Sequence, residues 1–172
     1  VLRISLAGTR TFAYRDGAHF YYPLYSWISD SWSRGEVPLW NPQVNIGEPL
    51  VGGTTSAVFY PGKIIFAFPG PFSLLYNLYI VLHCLMAAGG AYRLARYWKT
   101  SVPAAVLAAV SYAFGGSVLF QYCNVVFLVG AAWLPFALLA TDRMFTERRI
   151  MPALGLGLCL ACMTLGGAPQ TA

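Results

Sequence analysis

Long apolar stretches separated by short basic ones organise most of the chain. No Asp, Glu, Lys or Arg occurs between Lys63 and Arg93, between Lys99 and Asp142, or from Ile150 to Ala172. With about 1.5 Å of rise per helical residue, the middle stretch can cross a hydrocarbon core about 30 Å thick twice. The pattern predicts an all-α polytopic membrane protein with about four transmembrane helices, near 72–92, 103–121, 125–140 and 151–167. Pro69-Gly70-Pro71 is a turn signal that sets Ile64–Phe68 apart as a short element dipping into the membrane interface. Pro103 suits the first turn of the second run. In that run Ala105, Ala109, Ala113 and Ser117 recur every four residues, a stripe that lets membrane helices approach closely.

Residues 1–71 read differently, with Gly, Pro, Trp and Tyr in place of continuous apolar runs. Within them Pro23–Arg34 has helical periodicity. Leu24, Trp27, Ile28 and Trp32 share one face, and Ser26, Ser29, Asp30 and Ser33 the other. Pro23 at its start and Gly35 past its end are the expected boundary residues. The two Trp suit a helix lying among lipid headgroups.

Charge orients the whole. Arg93, Arg96 and Lys99 fill one break and Arg143, Arg148 and Arg149 another, while Gln121–Asn124 between them is neutral. Basic short loops favour the cytoplasmic side. Loops 93–101 and 141–150 are therefore expected inside, and residues 1–71 outside, as a large extracytoplasmic first loop with short interfacial helices. The formal net charge of +5 is used for topology, and nucleic acid is not an expected partner.

Composition narrows the class further. Of 172 residues, 58% are hydrophobic and 10% charged, against about 45–50% and about 25% in soluble domains. A soluble globular enzyme and a disordered chain are both excluded on this ground. The chain opens at Val1 without an initiator Met and has no signal peptide of the usual form, so it is expected to be part of a longer protein.

Asp16 leads the candidate chemistry. It sits in Tyr14-Arg15-Asp16-Gly17-Ala18-His19-Phe20-Tyr21-Tyr22-Pro23, an aromatic setting at the membrane boundary. Sugar rings stack on aromatic faces, and a carboxylate can serve as general base for an acceptor hydroxyl. The plainer alternative is an ion pair with Arg10 or Arg15. His19 could assist Asp16, bind a phosphate or hydrogen-bond within its loop, and His83 inside the first run could hydrogen-bond a neighbouring helix. Arg10, Arg15, Arg34 and Lys63 could grip a lipid phosphate or contact anionic headgroups. Cys159 and Cys162 form a C-x-x-C inside an apolar run, where cysteine acts as a small hydrophobe. No Walker loop, G-x-S-x-G or H-E-x-x-H is present.

Asp16, Tyr21-Tyr22-Pro23, Gly35-Glu36-Val37-Pro38-Leu39-Trp40-Asn41-Pro42, Gly47-Glu48-Pro49-Leu50 and Phe59-Tyr60-Pro61 follow in that order. The series resembles the outer first loop of the bacterial YfhO-like membrane protein family, within the GT-C-fold glycosyltransferases. Leu82-His83, Phe114-Gly115-Gly116, Trp133-Leu134-Pro135 and Gly167-Ala168-Pro169-Gln170 extend the resemblance downstream. One departure is Ala168, where the family commonly has His.

The resemblance implies a multi-pass protein of the bacterial cytoplasmic membrane. Such a protein transfers a sugar from a polyprenyl-phosphate-linked donor to an extracytoplasmic glycan or teichoic-acid-like acceptor. The acidic residue of the GT-C loop maps onto Asp16 as the catalytic group. His19, Arg15, Tyr22, Trp40, Asn41, Tyr60 and Gln170 are the implied substrate-binding residues. No metal ligand is assigned, since GT-C enzymes vary in metal use and a divalent ion stays open. A preceding transmembrane helix would end near Val1–Leu6. Trp40-Asn41-Pro42 reads equally as a turn that fixes the loop. The rival is a non-catalytic membrane protein handling lipid-linked sugars, a flippase or an assembly factor.

Overall fold

The computed structural model describes residues 11–12 and 14–171 of the chain. Arg10 and the segment Val1–Leu6 lie outside the described residues. The protein is mostly helical. A π-helical turn, Gly17–Tyr21, runs directly into α1, Tyr22–Ser33. A minimal antiparallel pair follows, β1 (Trp40–Asn41) and β2 (Glu48–Pro49), with Trp40 opposite Pro49 and Asn41 opposite Glu48. Short 3₁₀ turns at Thr54–Ser56 and Pro61–Ala67 lead to α2, Phe72–Tyr97. Then come α3 (Val102–Phe114), α4 (Gly116–Leu119) with a 3₁₀ turn at Phe120–Cys123, α5 (Val125–Glu147) and α6 (Ile150–Leu165).

Three helical segments are long and apolar enough to cross a membrane: Phe72–Tyr97, Val102–Cys123 and Val125–Glu147. The first and third outrun the expected 72–92 and 125–140, because helix continues through the basic residues beyond each apolar run. The second is not continuous. Gly115 is extended, with ψ near 149°, and the helix restarts at Gly116. The fourth run folds as α6, which at 16 residues is shorter than the others.

The helices pack in the order α3, α2, α5, α6. Ala105, Ala109 and Ala113 are buried against this neighbour as the small-residue stripe requires, but Ser117, beyond the break, is exposed. At Gly90 the α2 backbone lies so near α5 that a Cβ would sit 2.8 Å from the Phe136 ring and 3.1 Å from Pro135. Pro135 is inside α5 and has no N–H, which frees the carbonyl four residues back. That carbonyl, Ala131 O, accepts instead from the Tyr112 hydroxyl of α3 at 2.8 Å. A freed backbone group at this depth needs a protein partner, and a neighbouring helix supplies it.

The segment before α2 is folded onto the same bundle. Tyr21, Tyr25 and Ile28 of the first helical turns are buried with Phe66, Tyr76 and Tyr79 in one core. The predicted apolar face of α1 is therefore rotated. Tyr25 and Ser31 are buried beside Ile28, while Trp27 and Trp32 are only half-buried. This face is met by protein, where the sequence suggested lipid headgroups. The expected short element before Pro69 is present as the Pro61–Ala67 turn, and its Ser29 tie is a 2.9 Å hydrogen bond to Phe66 O. Tyr60, at the start of this turn, bonds His83, three helical turns into α2, so the element reaches well down the bundle.

Candidate functional site

Asp16 is exposed at the head of the π-helical turn. Its surroundings are fastened at several points. Phe12 N donates to Asn77 Oδ1 at 2.9 Å, and the Tyr76 hydroxyl donates to Gly17 O at 3.4 Å. The Tyr21 hydroxyl donates to Asn124 Oδ1 at 2.6 Å, in the turn that precedes α5. Gly17 is pressed on that same turn, where a Cβ would lie 3.2 Å from Tyr122 O. Burial and the nearby Asp16 charge push the Tyr21 hydroxyl up to about 12. It is held as a neutral donor to Asn124.

The alternative ion pair with Arg15 does not form: among the described residues neither Asp16 nor Arg15 is in a salt bridge. Arg15 has φ +51°, a left-handed conformation uncommon for a residue with a side chain. His19 is exposed and makes no hydrogen bond with Asp16 among the described residues. Tyr22 is half-buried edge-on against Phe72 and Tyr76, with ring centroids 4.9 and 5.2 Å apart. Arg15, Asp16, His19 and Tyr22 thus occupy one turn and the helix start beside it.

The other expected substrate-binding residues lie elsewhere. Trp40 is half-exposed and covers Gly47, whose φ of +110° leaves no room for a Cβ beneath the indole. Asn41 is buried and its Oδ1 accepts from Gln43 N at 3.0 Å, a side-chain turn that fixes the strand exit. Gln170 is exposed in the final turn, Pro169–Thr171. Ala168, two residues before it, is fully buried.

Tyr60 is turned inward. Its oxygen accepts from Trp133 Nε1 at 3.0 Å and lies 2.8 Å from His83 Nε2. His83 Nδ1 is 2.7 Å from the Tyr79 carbonyl, an obligate acceptor, so Nδ1 carries the proton and Nε2 accepts from Tyr60. The partner of His83 is therefore a loop tyrosine and its own helix, where a neighbouring helix was expected. Burial, partly offset by the Trp133 bond, pushes the Tyr60 hydroxyl up to about 12.

Lys63 corrects a second expectation. Its amine is buried, 2.7 Å from the Tyr25 ring centroid and 5.6 Å from that of Phe66, with no hydrogen-bond partner among the described residues. Burial holds its pKa well below the usual lysine value. In this position it cannot grip a phosphate at the surface. The four cysteines are free and buried. Among the described residues no group of three His, Cys, Asp or Glu is placed to hold a metal.

The sequence reading missed Tyr21, Asn124, Trp133 and the depth of Lys63. A signal was present: Tyr76, Tyr79 and His83 on α2 and Tyr21 and Tyr25 before and within α1 recur at helical spacing. Polar aromatics on facing stripes mark a packed interface that still needs hydrogen-bond partners. Comparison with protein-family models, curated proteins and solved structures finds no match to this chain.

Proposed function

We propose that this chain belongs to a membrane glycosyltransferase of GT-C type, resembling the YfhO-like proteins, that moves a sugar from a polyprenyl-phosphate donor to a cell-envelope acceptor. The observation that carries the reading is the setting of Asp16. Its carboxylate is exposed, in no salt bridge among the described residues, and its turn is tied to α2 and to the α5 approach. A carboxylate placed by a tethered turn beside an open surface is what attack by a sugar hydroxyl needs.

In this reading Asp16 takes the acceptor hydroxyl proton as that oxygen bonds to the anomeric carbon. The bond from that carbon to the phosphate oxygen breaks, and the lipid phosphate leaves with the electron pair. Arg15 is the adjoining cation for the leaving phosphate, and its left-handed backbone fits the strain often stored at functional turns. The segment before α2 would be the outer loop, α6 the fourth crossing, and the ends near Lys99 and Arg148 cytoplasmic.

The test uses the full-length protein in liposomes with a labelled polyprenyl-phosphate sugar and a cell-envelope acceptor extract. Asp16→Asn is expected to cut transfer by about 10²–10⁴-fold, the usual worth of a general base. Equal transfer by the variant removes Asp16 as the base. Failure of the wild type with every donor removes the enzyme. The rival, a lipid-linked-sugar handler without chemistry, is favoured by the buried Tyr60–His83–Trp133 chain and predicts tolerance at Asp16 with sensitivity at His83.

A further inference from the structure

A cavity of about 410 Å³ lies between α2, α5, α6 and the Tyr60–Ile65 segment. That is within the size range of small-molecule sites, about 300–1,000 Å³. Leu82 of α2 and Leu158 of α6 frame it and are themselves 52% and 61% exposed on the outside of the bundle. Met86 and Cys162 line its interior. No charged side chain lines it.

Its polar wall is already spent. Trp133 donates to Tyr60, Tyr60 to His83, and His83 to the Tyr79 carbonyl. That leaves Trp133, Tyr60 and His83 with no free donor and only one lone pair on the Tyr60 oxygen; the Tyr79 hydroxyl, unpartnered among the described residues, is itself buried. A charged headgroup entering here would be desolvated without compensation. α2 is long and apolar enough to cross a membrane, so its exposed Leu82 belongs to the surface that would face lipid, and Leu158 stands exposed beside it on the shorter apolar helix α6.

We infer that the cavity between α2, α5 and α6 binds a single uncharged hydrocarbon chain of a bilayer lipid, inserted past Leu82 and Leu158 toward the Trp133–Tyr60–His83 wall. The inference does not depend on the transfer chemistry proposed for Asp16. An occupied cavity backs the Tyr60 turn from the membrane side and so steadies the attachment of the outer segment to α2.

The test reconstitutes the full chain in phosphatidylcholine vesicles containing a phosphatidylcholine with a photoreactive diazirine on one acyl chain. Adducts are located by peptide mass spectrometry. The expected result is labelling at Met86 and Cys162, the latter 4% exposed, besides labelling at outward residues such as Leu107, 68% exposed. Cys162→Phe, which fills the cavity, should reduce Met86 labelling several-fold and leave Leu107 unchanged. Leu158→Trp, which blocks the mouth from an exposed position, should do the same without entering the core. Labelling at Leu107 with none at Met86 or Cys162 overturns the inference, as does Met86 labelling that both variants leave intact. Labelling of the cavity only by a phosphate-monoester lipid probe would also overturn it.

Discussion

Tyr60→Phe removes one oxygen and almost no volume, which makes it a clean probe of the buried hydrogen-bond chain. The lost hydroxyl accepts from Trp133 at 3.0 Å and donates to His83 at 2.8 Å, so the variant strands one donor and one acceptor. In a soluble core each stranded group costs ~1–3 kcal/mol. Between membrane helices a side-chain hydrogen bond averages ~0.6 kcal/mol and reaches ~1.7, because the unfolded chain in lipid also finds partners. His83 is only 6% exposed and its other nitrogen is already committed, so it has little means of finding a substitute. Two such bonds place the loss at about 1–3 kcal/mol.

Thermal unfolding in detergent, followed by far-ultraviolet circular dichroism, reads this directly. At this chain length about 2–4 °C of midpoint corresponds to each kcal/mol. A double-mutant cycle with His83→Phe separates the shared bond from the rest. The pair should lose less than the sum of the single variants by ~0.5 kcal/mol or more, as residues in one network do. A Tyr60→Phe effect within ~0.3–0.5 kcal/mol of zero, the ordinary additivity error, would show that the chain from Trp133 to Tyr79 is not closed.

Lys63→Met is expected to preserve or raise stability, since it replaces an unpartnered buried amine by an uncharged chain of similar length. Because burial lowers the folded-state pKa of Lys63, the unfolded chain binds the extra proton, and wild-type stability should rise with pH up to the usual lysine value; the variant should lose that slope in unfolding measured across the alkaline range. Tyr112→Phe strands the Ala131 carbonyl freed by Pro135 and should cost ~0.6–1.7 kcal/mol by the same unfolding assay. Gly167→Ala meets a left-handed φ of +91° and a Cβ position 2.7 Å from Val126, and should cost ~1–3 kcal/mol, whereas Gly116→Ala, with open space around it, should leave the midpoint unchanged.

How much of this was legible in the sequence depends on which physical term decided each element. The spans of α2 and α5 were legible because charge-free apolar length is a direct statement about lipid. Their far ends were not, since helix continues through Arg93 and Arg143, which stay exposed without breaking backbone hydrogen bonds. The break at Gly115 was visible as a glycine pair, but glycine alone does not say whether a helix will stop. Residues 23–34 read as a helix, yet the face it buries was set by Tyr25, a residue whose polar tip hid its role as core. The candidate site divides the same way. Arg15, Asp16, His19 and Tyr22 are neighbours in sequence, so local structure alone brings them together. Tyr60 and Lys63 looked like interfacial groups, and only the tertiary fold turns both inward, because hydropathy carries no information about what a short 3₁₀ turn will be pressed against.

The position of Asp16 follows from packing that lies some way from it. Tyr21 and Tyr25 meet edge-on at 5.8 Å, Tyr25 meets Phe66 at 5.7 Å and Tyr79 at 6.1 Å, and Phe66 stacks on Tyr79 at 5.2 Å. Such contacts are worth ~0.5–1.5 kcal/mol each beyond the area they bury. They join three pieces of chain: the Asp16 turn with α1, the Pro61–Ala67 turn, and the N-terminal half of α2. The Tyr60–His83 bond then locks the second piece to the third at greater depth. Non-helical backbone among membrane helices is tolerated only where protein covers it, and these rings are the cover. Loosening the Pro61–Ala67 turn therefore removes support from Tyr25, and through Tyr21 from the Asn124 bond that fixes the Asp16 turn. At the β1–β2 pair Trp40 covers Gly47 of its own loop, while Leu50 just past β2 is buried in the same core as Tyr25 and Phe66. Placement of the Asp16 carboxylate is in this sense a property of the aromatic core between loop and bundle.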